Sequence, residues 1–260
     1  MNILCDYHTH TTYSDGKNSP EEMILSAVEK GFTTIGITDH AYVSEKISWW
    51  ISKDNISKYK KELYSLKEKY KDKIRVLVGV EYDVYSDDDL SAYEYAIGSV
   101  HFVDKGGRLW PVDSKKEILL EAINTAFGGD SIAFCEEYYR LLRGFADDPY
   151  IKIIGHFDLV EKFNEAGDVF DPSSPRYRTA ALETLRVLCR AGKIFEINTG
   201  AMHRVGRTHP YPADFILEEI ARLSGKVCFS SDSHSTATIG YAFDRAAALC
   251  EKFGIEYKGI

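Results

Sequence analysis

Two histidines near the N-terminus are spaced so that both can bind one metal ion. His8 and His10 lie in the segment DYHTHTTYSDG, directly after a short apolar run. On an extended segment, side chains two residues apart point to the same side, so both imidazoles can face the same ion. Asp15 follows in the turn SDG, from which its carboxylate can fold back toward a neighbouring ion. This spacing indicates a metal site at the end of the first strand.

Metal-ligand types recur wherever a β-rich apolar run ends. Such runs occupy 3–7, 33–38, 74–80, 95–100, 151–155, 193–197 and 226–231. The residues at or just past their ends are His8, His10, His40, Glu81, His101, His156, Asn198, Asp232 and His234. Six of the eight histidines in the chain belong to this set. Chance would not be expected to place so many histidines at the ends of these runs. We therefore interpret the set as one site.

Helical segments separate the apolar runs, and the alternation predicts the fold. Segments with helical periodicity lie at 20–31, 57–72, 114–146, 175–192, 212–225 and 239–254. Seven strands alternating with helices favour a parallel α/β barrel, with a doubly wound open sheet as the competing fold. In a barrel the carboxyl ends of the strands converge on one face, so ligands far apart in the chain would meet.

The chemistry of the donors narrows the choice of metal. Histidine and carboxylate without thiolate suit zinc, manganese or iron. The five cysteines are widely spread and include no CxxC pair, so neither a disulfide framework nor a zinc–thiolate cluster is indicated. Glu81 has two carboxylate oxygens and can bridge two cations. The size of the ligand set predicts two to three divalent ions.

Composition limits the classes of protein and partner. The 260 residues are 44% hydrophobic and 28% charged, which suits a single globular domain over 1–260. No stretch approaches the roughly 20 apolar residues of a membrane span, and no secretory leader is evident, so we expect a cytoplasmic protein without a membrane partner. The net charge of -8 argues against nucleic acid as a partner. An anionic ligand would need metal ions or a few arginines.

Seven motifs, in order, resemble those of a known family. They are DYHTHTTYSDG, ITDH, GVEYD, GSVHF, GHFDLV, EINTGA and SSDSH. Together they are similar to the polymerase-and-histidinol-phosphatase (PHP) family and, within it, to the histidinol-phosphate phosphatases. The resemblance runs from residue 4 to about residue 245. It implies an α/β fold, a distorted (β/α)7 barrel with a trinuclear metal centre.

The resemblance also implies how the ligands are shared among the ions. Three sets are implied: His8, His10, Glu81 and Asp232; Glu81, His101 and His156; and Asp15, His40 and His234. In this scheme Glu81 bridges the first two ions. Asp232, Glu81 and His234 are the predicted catalytic residues.

The implied activity is metal-dependent hydrolysis of a small-molecule phosphomonoester, with histidinol phosphate in histidine biosynthesis as the expected substrate. Clustered cations stabilise the charge of a phosphoryl transition state, and metal-activated water supplies hydroxide at neutral pH. No side-chain nucleophile is then required. The proton donor to the leaving group stays open among Asp232, Asp158, His203 and His209.

Loops after the strands supply candidates for substrate binding. Arg204 and Arg207 follow the sixth strand as phosphate ligands, with Arg204 favoured and a solvated loop charge as the alternative for either. Trp110 is a candidate aromatic wall for an imidazole ring, although it could instead pack the following helix against the barrel. Trp49 and Trp50 form a second aromatic candidate. The substrate's amino group has three candidate acceptors: Asp83, Asp104 and Asp113.

Other functions remain as alternatives at this stage. A related phosphoesterase acting on nucleotides or phosphotyrosine would keep the ligands and change the loops. A non-catalytic metal-binding domain would be marked by lost ligands, and none is evidently lost. An amidohydrolase barrel shares the HxH motif, but it usually needs a carboxylated lysine where this chain has Glu81.

Overall fold

The strands and their order agree with a barrel. In a computed structural model, which describes residues 4–43 and 48–260, the strands are β1 (Cys5–Asp6), β2 (Thr34–Ile37), β3 (Arg75–Asp83), β4 (Tyr95–Ser99), β5 (Phe102–Lys105), β6 (Arg108–Pro111), β7 (Ile151–Ile154), β8 (Ile194–Asn198) and β9 (Lys226–Ser230). Seven of them form one sheet in the order β1-β2-β3-β4-β7-β8-β9. Every neighbouring pair in that sheet is parallel.

The two edges of this sheet approach each other. Thr9 forms an isolated parallel bridge with Ser233, and the backbone N–H of His10 donates to the carbonyl of Ser233 at 2.8 Å. The buried carboxylate of Asp6 accepts from the backbone N–H of Ser231 at 3.0 Å and from its hydroxyl. The sheet is therefore nearly closed as a barrel, which confirms the predicted fold over the open-sheet alternative.

Helices connect the strands. They are α1 (Pro20–Glu29), α2 (Ile56–Tyr70), α3 (Lys116–Ala126), α4 (Ser131–Arg143), α5 (Pro175–Arg190), α6 (Gly200–Arg204), α7 (Asp214–Arg222) and α8 (Phe243–Phe253). The first begins with a capping box, in which Ser19 and Glu22 satisfy each other's backbone N–H groups. No single described helix is long and apolar enough to cross a membrane, and only the segments Lys116–Ala126 and Ser131–Asp147 together reach that length, across a bend of 100°.

Side chains on the strands alternate between two environments. On β3, Val76, Val78 and Val80 belong to the main hydrophobic cluster, which also contains residues of the helices. Leu77, between them, belongs to a separate small cluster with Tyr7, Tyr95, Ile97, Ile153 and Cys228. Because side chains alternate along a strand, Glu81 lies on the same face as Leu77, which places its carboxylate inside the barrel near the strand's end.

Two predicted segments differ in the structure. The helical segment at 114–146 is two helices, α3 and α4, separated by Gly128 and Gly129, both with positive φ (62° and 83°). The long loop expected after His101 contains an antiparallel hairpin of β5 and β6. Gly106 and Gly107 turn it with positive φ at both positions. A Gly-Gly pair is a known signal for this tight turn, so the hairpin was readable from the sequence.

Candidate metal centre

Glu81 lies at the centre of the predicted ligands. Its Oε1 is 2.9 Å from Nε2 of His156 and 3.3 Å from Nε2 of His101. Its Oε2 is 2.7 Å from Nδ1 of His40 and 3.3 Å from Nε2 of His8. The two oxygens thus face two different groups of histidines. This is the arrangement expected of a carboxylate that bridges two ions.

Asp232 closes one side of the same cluster. Its Oδ1 lies 3.3 Å from Nε2 of His10, 3.9 Å from Nε2 of His8 and 3.6 Å from Nδ1 of His234. The backbone of Asp232 has a φ of 50°, a left-handed conformation that is uncommon outside glycine and concentrates at functional sites. Gly200 makes room for it, since a Cβ at Gly200 would lie 2.7 Å from Cβ of Asp232.

Asp15 folds back over the end of the first strand, as its position in the SDG turn predicts. Its Oδ1 is 3.0 Å from Nε2 of His234, 3.7 Å from Nε2 of His40 and 3.9 Å from Nδ1 of His10. The structure therefore brings all nine predicted metal ligands to one end of the barrel.

A buried glutamate that sequence reasoning missed orients two of these histidines. Glu196 is fully buried, and its Oε1 lies 2.8 Å from Nδ1 of His8. Its Oε2 accepts from the backbone N–H of His156 and from Nδ2 of Asn198, both at 3.0 Å. The carboxylate fixes the His8 ring so that Nε2 faces the cluster. The available signal was an acid on an apolar strand, two residues before Asn198 and therefore on the same face.

Two further carboxylates hold the backbone around the ligands. Asp83, a candidate acceptor for the substrate's amino group, instead accepts from the backbone N–H of His101 at 2.7 Å. Asp39 accepts from the backbone N–H of Thr11 at 2.8 Å and of Ser14 at 3.1 Å, which fixes the turn that carries Asp15. Both acids lie within quoted motifs, Asp39 in ITDH and Asp83 in GVEYD, but only the fold shows what they contact.

The donor atoms fit divalent metal ions. Several buried ligand atoms have no hydrogen-bond partner among the described residues: Nε2 of His8, both ring nitrogens of His10, Oδ1 of Asp15 and Oε2 of Glu81. Three groups bring their ligand atoms within 4.8 Å of one another: His10, Asp15, His40 and His234; His8, His10 and Asp232; and His40, Glu81 and His101. Buried lone pairs of imidazole and carboxylate without thiolate suit zinc, manganese or iron.

Carboxylates and imidazoles in the cluster shift each other's pKa values. Burial acts to raise the pKa of Glu81, but the neighbouring His40 and His8 outweigh it and hold that pKa well below its usual range. Burial acts to lower the pKa of His8, but Glu196 and Glu81 raise it well above its usual value. His101 has a raised pKa because Glu81 outweighs burial. Metal ions would therefore replace protons in this cluster.

A cavity of about 580 Å³ opens above the metal ligands. Arg204 lines it, and its guanidinium lies 3.1 Å from Nε2 of His234 and 3.8 Å from Oδ1 of Asp232. Arg207 lines a different cavity, although its guanidinium lies 4.8 Å from the centre of the ring of Tyr211, which lines the first cavity. Of the two predicted phosphate ligands, the structure brings only Arg204 to the metal ligands.

Lys162 is a second basic residue at this cavity, and sequence reasoning missed it. It lines the cavity, and its Nζ lies 2.9 Å from Oδ2 of Asp113, which also lines it. Burial acts to raise the pKa of Asp113, but Lys162 and then His101 lower it to about 2. Asp104 is exposed in the hairpin. Of the three candidate acceptors for an amino group, Asp113 is the one that lines the cavity.

Trp110, the candidate aromatic wall for an imidazole ring, does not line the cavity. It is 4% exposed and packs in the main hydrophobic cluster. This matches the alternative in which it packs the following helix. Trp49 lines the cavity instead, with its ring 4.5 Å from that of His40. Trp50 is buried. Within the predicted aromatic segment at 44–55, residues 44–47 lie outside the described residues.

The four candidate proton donors separate in the structure. Asp232 lines the cavity. Asp158 is fully buried and accepts from the backbone N–H of Ala213 at 2.8 Å, and burial raises its pKa to about 7. His203 and His209 are exposed and line no part of this cavity. Of these four candidates, Asp232 is the one that lines the cavity.

A nearly closed parallel barrel that carries a histidine and carboxylate cluster at the carboxyl ends of its strands is the architecture of a metal-dependent hydrolase. A family model for the PHP domain matches residues 6–200. The chain belongs to the PHP domain family.

Relatives and solved structures agree with this family. The histidinol-phosphatase of Bacillus subtilis is 24% identical over 269 residues, covering 94% of this chain and 98% of the relative. A candidate histidinol phosphatase from Listeria monocytogenes has a TM-score of 0.79 at 20% identity, covering 93% of this chain and 99% of that one. Histidinol phosphate phosphatase from Lactococcus lactis, complexed with zinc, L-histidinol and phosphate, has a TM-score of 0.70 at 21% identity, covering 98% and 96%. These relatives and the site support the predicted metal-dependent phosphatase.

Proposed function

We propose that this protein hydrolyses histidinol phosphate to histidinol and phosphate, using two to three divalent metal ions. The observation that carries the proposal is the position of Glu81. One of its oxygens faces His101 and His156, the other faces His8 and His40, and a ligand-sized cavity lies directly above. The names of relatives that align over nearly the whole chain support the substrate.

The geometry supports the predicted assignment of residues to the ions. His8 and His10 face Oε2 of Glu81, and Asp232 faces both of these histidines. His101 and His156 face Oε1 of Glu81. Asp15, His40 and His234 form the remaining group. Divalent ions bound there would lower the pKa of a bound water and would place positive charge opposite the phosphate. Asp232, Glu81 and His234 stay the predicted catalytic residues.

Basic side chains complete the phosphate site. Arg204 lies at the rim of the ligand cluster, where its planar guanidinium can donate two parallel hydrogen bonds to phosphate oxygens. Lys162 enters the cavity as a point charge. Asp113 beside it is positioned to receive the ammonium group of histidinol. Water is restricted from below because the small apolar cluster around Leu77 and Tyr95 fills the barrel under the ligands.

The substrate is tested with metal-reconstituted enzyme. Protein stripped by a chelator should lose hydrolysis of histidinol phosphate and regain it with manganese, zinc or iron. Its kcat/KM for histidinol phosphate should exceed that for nucleotides and phosphotyrosine peptides by more than tenfold, which is about 1.4 kcal/mol in transition-state binding. Equal rates on all three classes would overturn the substrate, and full activity after stripping would overturn the metal requirement.

A pair of variants tests the phosphate site. Arg204→Ala should lower kcat/KM for histidinol phosphate by 10- to 100-fold, or about 1.4–2.8 kcal/mol, because it removes charge-assisted hydrogen bonds to the phosphate. Arg207→Ala should lower it less, since Arg207 lines the other cavity and donates to the backbone carbonyl of Glu161 there. A larger loss with Arg207→Ala than with Arg204→Ala would contradict this assignment.

A further inference from the structure

The cavity has room for more than a phosphate group. Its volume of about 580 Å³ is typical of sites that bind whole small molecules. The metal ligands, Arg204 and Lys162 account for the part that would receive phosphate. The remaining walls must therefore contact the leaving group, and their chemistry should determine which alcohol is accepted.

One of these walls is aromatic and firmly supported. The Trp49 ring is 5.9 Å from that of Phe102 with an angle of 10° between the ring planes, and 4.4 Å from that of Trp50. It is also 4.5 Å from the His40 ring and 5.6 Å from the His101 ring, at 73° to each. Trp49 is thus held by four rings and still partly exposed to the cavity. A side chain fixed in this way loses little conformational entropy when a ligand binds.

The charge of the cavity adds a second preference. Asp15, Asp113 and Asp232 are the carboxylates among its described lining residues. Asp15 and Asp232 are predicted metal ligands, which leaves Asp113 for the organic part of the substrate. An aromatic face and a carboxylate that line one cavity favour a leaving group that combines a flat ring with positive charge. The ring stacks on the aromatic face, and a positive charge is attracted to the carboxylate and to the π face.

We propose that Trp49, supported by Phe102, is the residue that selects the leaving group, and that it favours phosphomonoesters of alcohols bearing a small planar, protonatable ring. This inference rests on the proposed function, since the imidazole of histidinol is such a ring. It assigns to Trp49 a contact with the substrate in addition to packing. The residue therefore determines specificity, while the metal ligands and Arg204 determine the chemistry common to all substrates.

Three substrates separate this role from a structural one. Histidinol phosphate has a planar cationic ring, 2-phenylethyl phosphate has a planar neutral ring, and phosphoethanolamine has a cation without a ring. Trp49→Leu should lower kcat/KM by about tenfold or more for histidinol phosphate, by less for 2-phenylethyl phosphate, and by less than twofold for phosphoethanolamine. Trp49→Phe should recover much of the loss, because it restores an aromatic face.

Controls make each outcome decisive. Tyr150→Leu removes an exposed aromatic ring outside the cavity and should leave all three rates unchanged. Metal content by elemental analysis and Tm should match the parent protein in every variant, and Trp49→Met, which is also non-aromatic, replaces Trp49→Leu if that variant does not fold. Equal losses on all three substrates, or no loss on any, would overturn the inference. A parent enzyme that does not prefer histidinol phosphate would instead overturn the proposed function.

Discussion

Replacing Glu196 by glutamine should weaken metal binding although Glu196 is not a predicted metal ligand. The change keeps the size of the side chain and removes one acceptor oxygen. Two donors face Oε2 of Glu196, the backbone N–H of His156 and the amide of Asn198. Neither can become an acceptor at that position without a larger rearrangement. The glutamine oxygen must therefore take the place of Oε2, and its NH₂ group must face Nδ1 of His8.

This orientation reverses the tautomer of His8. Beside Glu196, Nδ1 of His8 donates across 2.8 Å, so Nε2 is the nitrogen that faces Glu81 and Asp232 and gives up its proton to a metal ion. Beside a glutamine NH₂, Nδ1 must accept, so the proton moves to Nε2 and occupies the position that a metal would take. Loss of such a supporting carboxylate typically costs 10- to 100-fold in metal affinity or activity, or about 1.4–2.8 kcal/mol.

The measurement is zinc or manganese affinity by competition with a chelator of known affinity at pH 7. Glu94→Gln is a matched control, because Glu94 also accepts a backbone N–H, from Val78 at 2.8 Å, but belongs to a different cavity. Glu196→Gln should bind metal at least tenfold more weakly than Glu94→Gln. Equal affinities in the two variants would refute the tautomer argument, since both lose one carboxylate oxygen.

Three further predictions concern the same site. Lys162→Ala should raise KM for histidinol phosphate severalfold to tenfold without changing metal content, because it removes a positive charge from the cavity and no metal ligand; unchanged KM would contradict the phosphate role. Zinc binding to metal-free protein at pH 7 should release protons and weaken as pH falls, since the raised pKa values of His8 and His101 keep protons that the metal must displace. Calorimetry in two buffers of different ionisation enthalpy measures this release, and identical heats would refute it. Gly200→Ala should lower stability by about 1–3 kcal/mol and reduce metal content, because the new Cβ would lie 2.7 Å from that of Asp232; an unchanged Tm would show that the backbone yields easily.

The ligands were predictable because two independent patterns coincide at them. Apolar runs of strand length end within a few residues of the ends of β3 and β9, and residue types that bind metals follow those runs. Neither pattern depends on how the helices pack. The position of Glu81 follows from the end of one run, and the fold then supplies the convergence that every parallel barrel has. The resemblance carried by these motifs also implies how the ions share the ligands, and that sharing stays a prediction.

The residues around the ligands were less predictable, because their roles depend on distances across the barrel. Glu196 and His8 are 188 positions apart in the chain, and although an acid on an apolar strand indicates burial, the sequence does not show which residues Glu196 contacts. Trp49 and Trp110 are equally plausible walls from the sequence. The hairpin decides between them: residues of a strand face opposite sides in turn, and in β6 it is Pro111 that lines the cavity while Trp110 turns toward the core.

The same alternation explains why one barrel can hold so many charges at one end. On β8, Ile194 packs beside the interior apolar cluster, Glu196 orients ligands above it and Asn198 reaches Asp232. Along the strand the inner face thus changes from apolar to ionic within a few residues. The apolar layer keeps water from the lower side of the carboxylates, so their charge is compensated by the histidines, by Arg204 and by what enters from the cavity. The uncompensated negative charge of the carboxylates therefore attracts cations to the open end of the barrel, and an anionic phosphate must bind at the same end.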